Sequence, residues 1–490
     1  MDYIAYIQMI GQQIWIYGGS FILILSILVF VHEWGHYIVA RMCGIRVEQF
    51  SIGFGKEIYG FNDRAGTRWK LSLIPLGGFV QLFGDTDPAS AGHTDKIEEE
   101  SGDVREMTEE ELNVAFFNKK LWQRALVVFA GPAINYLFAI ALLAGIYFYY
   151  GQPVSPPTAA AIVQGSSAET YGFEPHDYIL SIDGKTISDF HDIRREMMVA
   201  LDEERNFVVK RGDETIEISA RPKKIMITDR FGFSNSIGVL GIVSADRGIL
   251  LDSIQSIDGV EYDNAQQVVE EITRRMGTTF SIGFKPAPVP DSSEAEETAG
   301  GTQEEAGERD TQSAPSEREQ DVLIVSPQAN MNEDLGSAAT PGENVLYLAD
   351  LPAAQFVPHT LMTALQSAIN ESYIITVSSF EALWQMVVGV RSVTELGGVV
   401  RIGAITGDTA MRGLVPLVLF TALLSINLGF INLLPIPMLD GGHLLFYGVE
   451  GIIGRSVPEY VQEYAFRAGF VFLIGLMAFA NLNDIYQLIT

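Results

Sequence analysis

Four long apolar segments dominate the hydropathy pattern of this chain. The first three are uncharged over roughly the 20 residues that an α-helix needs to cross a bilayer; the fourth is shorter and would be extended by Arg467, whose side chain can reach the headgroups. With their ends included, the predicted spans are residues 1–41, 124–150, 412–440 and 466–488. The pattern therefore predicts a polytopic α-helical membrane protein with four spans.

The polar sequence between the spans divides into several predicted regions. After the first span, short β-type runs alternate with glycines and an Asn-Asp turn, which indicates a small membrane-associated β meander. A long helical pattern before the third span suits either a helix on the membrane surface or one packed against the external domain. The ranges are 42–85 for the meander, 86–123 for an acidic loop with a short helix, 351–411 for the amphipathic helix and a linker, and 441–465 for a cytoplasmic loop.

An internal repeat marks the region between the second and third spans. Residues 177–184 read DYILSIDG and residues 252–259 read DSIQSIDG, and each has the form of a strand that enters a tight turn. The pattern resembles PDZ domains, with His176 in place of the glycine that usually precedes the first Asp. We predict two external PDZ-like α+β modules, at 151–230 and, in degenerate form with a disordered acidic insert at 288–340, at 231–350.

The net charge of −29 comes largely from two acidic stretches. Residues 85–111 and 291–321 together hold 22 acids and 4 bases, which accounts for 18 of the 29 negative charges. Both are typical of solvated linkers, so the acidity says little about the substrate and argues only against nucleic acid as a partner. The single cysteine, Cys43, excludes an intramolecular disulfide framework.

The distribution of lysine and arginine predicts the orientation of the spans. These residues cluster after the first span, before the second and between the last two, which is typical of cytoplasmic segments under the positive-inside rule. We expect residues 42–123 and 441–465 in the cytoplasm, and both termini and residues 151–411 outside.

The motif His32-Glu33-Trp34-Gly35-His36 carries the strongest chemical signal. On a helix, positions i and i+4 share one face, so both imidazoles can bind one metal ion, and Glu33 borders that face. A carboxylate there can take a proton from a water whose pKa the ion lowers to about 7. Ionisable groups at the end of an apolar segment are costly unless they face a cavity and have partners. The motif therefore predicts an intramembrane metal site of the hydrolytic kind.

A hydrolytic zinc site needs a third protein ligand and one open coordination position. Asp440 is the first carboxylate after the uncharged run that begins at Gly413, and the prolines before it break the helix. Alone, Asp440 is about equally well explained as the cap of the next helix. Combined with the histidine pair, it is the predicted third ligand. His443 is a rival, but a set of three histidines would leave this aspartate unexplained.

Several motifs occur together along the chain: HEWGH, SIGFG, GTRWKLSLIPLGGFV, FAGPAIN, the PDZ-like pair and NLLPIPMLDGG. In combination they resemble the site-2 protease family of intramembrane zinc metalloproteases, and especially its bacterial RseP-type members, which regulate sigma-factor signalling. The resemblance covers nearly the whole chain except the insert at 288–340 and the acidic loop at 86–112.

The resemblance implies roles for individual residues. Zn²⁺ would be bound by His32, His36 and Asp440, and Glu33 would be the catalytic acid and base. Asn432 would help to hold the substrate or the developing oxyanion. Asn135 of FAGPAIN is assigned to helix packing and is left out of the site.

The resemblance also implies substrates and a location. The expected substrates are transmembrane segments of single-span membrane proteins, such as anti-sigma factors or remnant signal peptides, cleaved in regulated intramembrane proteolysis. The PDZ-like modules would act as a size filter or contact the external segments or C-termini of substrates. The expected location is the bacterial inner membrane, with the active site near its cytoplasmic side.

A helical substrate has to unwind before its carbonyls can be attacked. The β meander offers an edge on which an extended segment could add as a strand, and Gly53 and Gly55 would permit close approach of the two backbones. These glycines are therefore predicted substrate-binding residues, although ordinary turn geometry is an alternative explanation.

Two other functions fit part of the pattern. One is a non-catalytic PDZ membrane scaffold with structural zinc, and the other is a metal transporter. A closed structural site has no use for Glu33 beside an open position, and transport would favour more ionisable residues along several spans. The sequence therefore favours a zinc-dependent metalloendopeptidase embedded in the lipid bilayer.

Overall fold

The structure is a computed structural model that describes residues 15–85, 96–98, 104–245, 248–285, 322–332, 335, 345–348 and 355–489. The predicted insert at 288–340 lies outside the described residues except for 322–332 and 335. Much of the predicted acidic loop and both chain termini also lie outside them.

Helices and strands are numbered here in chain order. The helices are α1 (Ser20–Met42), α2 (Glu109–Val114), α3 (Leu121–Tyr150), α4 (Ser167–Thr170), α5 (Phe190–Val199), α6 (Ala265–Arg274), α7 (Leu361–Val387), α8 (Val399–Met411), α9 (Leu414–Asn432), α10 (Asp440–Ile453) and α11 (Glu459–Ile489). The strands are β1 (Val47–Asn62), β2 (Arg68–Leu82), β3 (Lys96–Glu98), β4 (Val104–Glu106), β5 (Gln152–Val154), β6 (Ala161–Val163), β7 (Tyr178–Ile182), β8 (Lys185–Thr186), β9 (Arg205–Arg211), β10 (Glu214–Ala220), β11 (Lys223–Thr228), β12 (Ser234–Val239), β13 (Ile242–Val243), β14 (Gly248–Leu250), β15 (Ile254–Ile257), β16 (Val260–Glu261), β17 (Phe280–Phe284), β18 (Leu323–Val325), β19 (Val345–Tyr347) and β20 (Gln355–Val357).

The chain forms two compact units. The first, termed the helical unit, consists of residues 1–152, 227–235 and 358–490. The second, termed the β unit, consists of residues 153–226 and 236–357.

The helical unit contains four helices that are long and apolar enough to cross a bilayer: Ile16–Met42, Leu121–Tyr150, Leu414–Asn432 and Tyr460–Ile489. They agree with the four predicted spans, with differences at the ends. The third helix ends at Asn432 because Pro435 and Pro437 cannot continue it. The loop predicted at 441–465 instead begins with helix α10, which is apolar and ends at Gly454 in the left-handed conformation.

Helix α7 packs against the spans α3 and α9 within the helical unit. Its small residues Ala364 and Ala368 are buried in one cluster with residues of both spans. Neither predicted alternative included this packing on the spans, which follows from the close fit of the alanine face against the neighbouring helices. Its opposite face exposes large apolar side chains, including Leu361, Ile369 and Trp384. The predicted linker after it contains helix α8.

Strands β1 and β2 form a folded-back sheet rather than a simple hairpin. Residues 49–52 of β1 are registered with 78–81 of β2 on one side and with 68–71 on the other. The later part of β1, residues 57–62, pairs with 68–72. The predicted meander is thus built from two bent strands, with residues 78–82 at one edge. That edge lies against α1.

The β unit contains two hydrophobic cores that share strand β6. Ala159 and Ile162 belong to one core, termed the first module, while Ala160 and Ala161 belong to the other, termed the second module. The first core also contains Leu240, which lies beyond the predicted boundary at residue 230. In one sheet of the unit, the strand order is β13-β6-β18-β17-β15-β16. The two modules are therefore joined through a common strand.

The internal repeat corresponds to equivalent structures in the two modules. Asp183-Gly184 and Asp258-Gly259 form tight turns in which all four residues have positive φ, between 47° and 78°. His176, in place of the expected glycine, also has a positive φ of 74°. Its ring donates a hydrogen bond of 2.6 Å to the carbonyl of Ser326 in the second module. The unfavourable backbone conformation thus accompanies a contact between modules.

Candidate active site

The two histidines of HEWGH face one carboxylate from a distant part of the chain. On α1, the Nε2 atoms of His32 and His36 are 3.3 Å apart. The Oδ2 atom of Asp440, at the start of α10, lies 3.3 Å from His32 Nε2 and 3.7 Å from His36 Nε2. The structure therefore brings the three predicted ligands together.

The other nitrogen of each imidazole is held by helix α3. His36 Nδ1 donates to the carbonyl of Val127 over 2.9 Å, so its Nε2 carries the lone pair. His32 Nδ1 lies 3.0 Å from the side-chain amide of Asn135. The Oδ1 atom of Asn135 is otherwise buried without a hydrogen-bond partner. Turning the amide so that Oδ1 accepts from His32 Nδ1 gives this oxygen a partner. Both rings are thus oriented with Nε2 toward Asp440.

This donor set fits a zinc ion. One ligand atom from each of His32, His36 and Asp440 lies within 4.8 Å of the others. Two imidazole lone pairs beside a carboxylate repel one another unless a cation lies between them. Two histidines and one carboxylate are a set found in catalytic zinc sites, which keep a fourth position open.

Glu33 is placed between the metal ligands and the β sheet. Its side chain lies close to β2, because a Cβ atom at Gly78 would be 3.2 Å from Glu33 Cγ. It lines a cavity of about 210 Å³ together with the three predicted ligands. The edge of β2 supplies another wall of the cavity through Gly78, Phe79, Val80 and Leu82. The Glu33 carboxylate, the metal-binding set and the edge of β2 therefore line the same cavity.

Close helix crossing explains why FAGPAIN stands opposite HEWGH. A Cβ atom at Gly35 would lie 2.4 Å from the carbonyl oxygen of Ala130. A Cβ atom at Gly131 would lie 2.2 Å from His36 Nε2. Only glycine allows α1 and α3 to approach this closely, which is the usual reason for small residues where membrane helices cross.

The LDGG segment brings Asp440 to the histidines. After α9 ends, residues 433–439 carry two prolines, and Met438 adopts a φ of 82°. A Cβ at Gly441 would lie 2.2 Å from the carbonyl oxygen of Leu434, and one at Gly442 would lie 2.5 Å from that of Ile436. The glycines allow α10 to start directly against this bend. Asp440 is consequently both the first residue of α10 and a member of the metal-binding set.

The remaining predicted residues differ in position. Asn432 lines the cavity. His443 also lines it, and its ring packs on Phe466 with centroids 4.7 Å apart. Gly53 and Gly55 lie outside the cavity lining, at a corner of β1 where their φ values are 86° and 88°. Positive φ favours glycine at both positions, and a Cβ atom at Gly53 would also lie 2.6 Å from the carbonyl oxygen of Ile74. The role of both glycines in substrate binding stays a prediction.

Two groups that surround the site were not predicted from the sequence. Asn135 was assigned to helix packing, yet its side chain contacts His32. The Val127 carbonyl, which contacts His36, carries no side-chain signal at all. Asn135 could have been recognised as a polar residue inside an uncharged span, because a polar side chain there is unfavourable without a hydrogen-bond partner.

The sequence of this chain is similar to those of known proteins. The sequence profile described as Peptidase family M50 matches residues 20–476. The chain belongs to this family. A relative in Agrobacterium fabrum, named "Putative zinc metalloprotease", is 32% identical over 473 residues, which cover 96% of this chain and 96% of the relative. The "Regulator of sigma E protease" of Haemophilus influenzae is 30% identical over 482 residues, which cover 96% of this chain and 98% of the relative.

The M50 protein is therefore a zinc-dependent metalloprotease. Its four candidate spans and its similarity to site-2 proteases make it an intramembrane enzyme. Zn²⁺ is its cofactor, and the group His32, His36 and Asp440 could bind it.

Proposed function

We propose that this peptidase cleaves transmembrane segments of single-span membrane proteins in regulated intramembrane proteolysis. The observation that carries the proposal is the shared cavity, which is lined by Glu33, the metal-binding set and the outer edge of β2. The similarity to a regulator of sigma E protease supports anti-sigma factors as one class of substrate, and remnant signal peptides are another.

The residues divide the chemistry among them. His32, His36 and Asp440 would hold zinc, which when bound would supply Lewis acidity and a water of lowered pKa. Glu33 takes a proton from the attacking water and passes it to the leaving amine. Asn432, on the cavity wall, provides an amide that can donate to the developing oxyanion.

An unwound substrate segment adds to the edge of β2. Residues 78–82 form the last strand of the folded-back sheet and contribute four residues to the cavity wall. A segment paired there has its carbonyls fixed by backbone hydrogen bonds, which are independent of side-chain identity. This edge is a better candidate for substrate binding than Gly53 and Gly55.

The enzyme lies in the bacterial inner membrane with its termini and the β unit on the periplasmic side. The positive charges after α1 and before α3 support this orientation. A test uses single cysteines at Glu109 and Glu217 in a Cys43→Ser background. A membrane-impermeant maleimide should label position 217 but not position 109 in intact spheroplasts; labelling at position 109 contradicts the orientation.

The two modules of the β unit act as PDZ-like domains on the external part of substrates. Their matching Asp-Gly turns support this assignment. A groove of about 400 Å³ in the first module, lined in part by Phe190, Ile193, Met197 and Gly241, has room for an apolar C-terminal peptide. The modules either exclude untrimmed substrates or capture a new C-terminus.

The decisive test replaces Glu33 by glutamine. This variant should keep its zinc, because Glu33 is not among the ligands, while losing cleavage of a co-expressed single-span reporter. Glu48→Gln, which changes a carboxylate on β1 outside the cavity lining, serves as the matched control and should cleave normally. Cleavage by Glu33→Gln at the wild-type rate would remove the proposed mechanism.

A further inference from the structure

Helix α1 makes a polar contact with the connection between β1 and β2, one turn beyond Glu33. The phenol of Tyr37 donates to Asp63 Oδ2 over 3.0 Å. Because Glu33 and Tyr37 are four residues apart, they lie on the same face of α1. Asp63 itself lies in the connection between β1 and β2.

Asp63 is fully engaged by hydrogen-bond donors. Its Oδ1 accepts from the backbone amides of Ala65 and Thr67 at 2.8 and 2.9 Å. Its Oδ2 accepts from the indole of Trp69 at 3.0 Å, in addition to Tyr37. One oxygen thus closes the turn and the other joins the sheet to the helix.

Aromatic packing surrounds this contact. Tyr37 meets Phe50 edge-on, with ring centroids 5.8 Å apart, and Phe50 stacks on Trp69 at 4.2 Å. Phe50 is almost completely buried. It belongs to the part of β1 that is registered with residues 78–81. A shift of Tyr37 would therefore move Phe50 and, through the pairing of β1 with β2, the cavity edge of β2.

The cavity edge of β2 packs on α1 at the level of Glu33. A Cβ atom at Gly78 would lie 2.7 Å from the Val29 side chain and 3.2 Å from Glu33 Cγ. A substrate segment that adds to this edge would compete for the same space. The bond between Tyr37 and Asp63 lies one turn away and outside the cavity lining, so it can hold the sheet against α1 while the edge is occupied.

We infer that Asp63 is a positioning residue, which fixes the cavity edge of β2 against the catalytic helix through its hydrogen bond with Tyr37. This inference rests on the proposed function. It assigns no contact between Asp63 and the substrate or the metal. Loss of the bond lets the sheet shift relative to α1, which weakens substrate binding more than the chemical step.

The test separates this bond from the folding of the turn. Tyr37→Phe removes only the phenol oxygen and leaves all other partners of Asp63 in place. Asp63→Asn keeps an acceptor for Ala65 and Thr67 but replaces the oxygen that faces Tyr37 and Trp69. Tyr59→Phe, at an exposed tyrosine on β1, is the matched control.

Purified full-length variants are assayed in detergent with a single-span reporter whose apolar segment has a central proline. We expect Tyr37→Phe and Asp63→Asn each to raise KM by roughly 3- to 10-fold, with kcat within about twofold of wild type. Bound zinc should equal that of wild type. The double variant should be no worse than the more affected single variant, because both remove the same bond. Tyr59→Phe should behave as wild type.

Three results would overturn the inference: an unchanged KM in Tyr37→Phe, additive effects in the double variant, or loss of zinc in either single variant. Failure of the proposed function gives a different outcome. In that case Glu33→Gln still cleaves the reporter. An inactive Glu33→Gln with a normal Tyr37→Phe rejects only the role of Asp63.

Discussion

Glycines serve opposite purposes in the two units of this protein. In the helical unit, Gly35 and Gly131 allow two spans to approach, and a Cβ at Gly131 would occupy the space of the His36 ring. In the β unit, Gly184 and Gly259 have open space around the Cβ position and are required instead by positive φ.

The polar groups of the two units differ in the sequence distance over which they form hydrogen bonds. In the helical unit, Asn135 and Val127 hold histidines that are 103 and 91 residues away in sequence. In the β unit, Asp183 and Asp258 bond strands 23 residues away. We therefore expect a small change near Asn135 or Val127 to reach the metal site, and a change at Asp183 or Asp258 to affect a local turn.

The largest effect is expected from the metal-binding set itself. Asp440→Asn removes the anionic ligand, so zinc content should fall and cleavage of the single-span reporter should be abolished. Chelation of the wild type should have the same result and be reversed by added zinc. Full activity of a zinc-free preparation would contradict the assignment of the site.

Gly131→Ala tests the close crossing of α1 and α3. The new methyl group would lie where His36 Nε2 lies, so we expect zinc affinity and cleavage to fall roughly 100-fold or more. Gly145→Ala on the same helix meets nothing within 4 Å and should be nearly neutral. Equal effects of the two substitutions would mean that helix propensity, not the crossing, determines activity.

Asn135→Leu tests the support of His32. Leucine fills the space but offers no acceptor, so zinc affinity should fall roughly 10- to 100-fold. Asn135→Asp retains an acceptor and should recover much of the loss. Metal titration of the purified variants measures both effects. Wild-type zinc affinity in the leucine variant would mean that Asn135 serves only in helix packing.

Gly184→Ala is the counterpart in the β unit. A side chain at φ of 78° should destabilise the turn by about 1 kcal/mol, with no change in bound zinc. Hydrogen exchange of β7 in the full-length protein measures the local effect. Loss of zinc in this variant would break the distinction between the units.

The smallest effect concerns the acid sensitivity of the second module. The Ser281 amide and the Arg275 guanidinium hold the pKa of Asp258 below its usual range. Because the folded-state pKa is lower than the unfolded value of about 3.9, the stabilisation is complete above that pH and is lost as the pH falls through the folded value.

Exchange protection of β17, corrected for intrinsic rates, should therefore be constant near neutral pH and decline only below about pH 4. Asp258→Asn should show less of this decline. An equal decline in the variant would assign the acid sensitivity to other groups.

Several features followed from local sequence patterns. The four spans depend on length and apolarity, so they could be located from composition alone. HEWGH places two imidazoles on one helix face by helical periodicity. Asp440 stood out as a carboxylate after a proline-broken span. The repeated DxIxSIDG motif marked equivalent turns, because an Asp-Gly pair favours positive φ.

Other features depend on contacts between distant segments. Residues 49–52 pair on both sides, which no short-range pattern predicts. The packing of α7 on α3 and α9 was decided by the partner that best accommodates its alanine face. The corner position of Gly53 and Gly55 likewise became clear only when β1 was seen to fold back.

The sequence by itself determined which side chains could bind a metal and act as a base, because residue type and helical spacing are local properties. Only the tertiary structure decided what orients the two histidines: the Asn135 side chain for His32 and the Val127 carbonyl for His36. Backbone groups are the same at every residue, and their partners depend on helix crossings and strand register, which are set by packing of the whole unit.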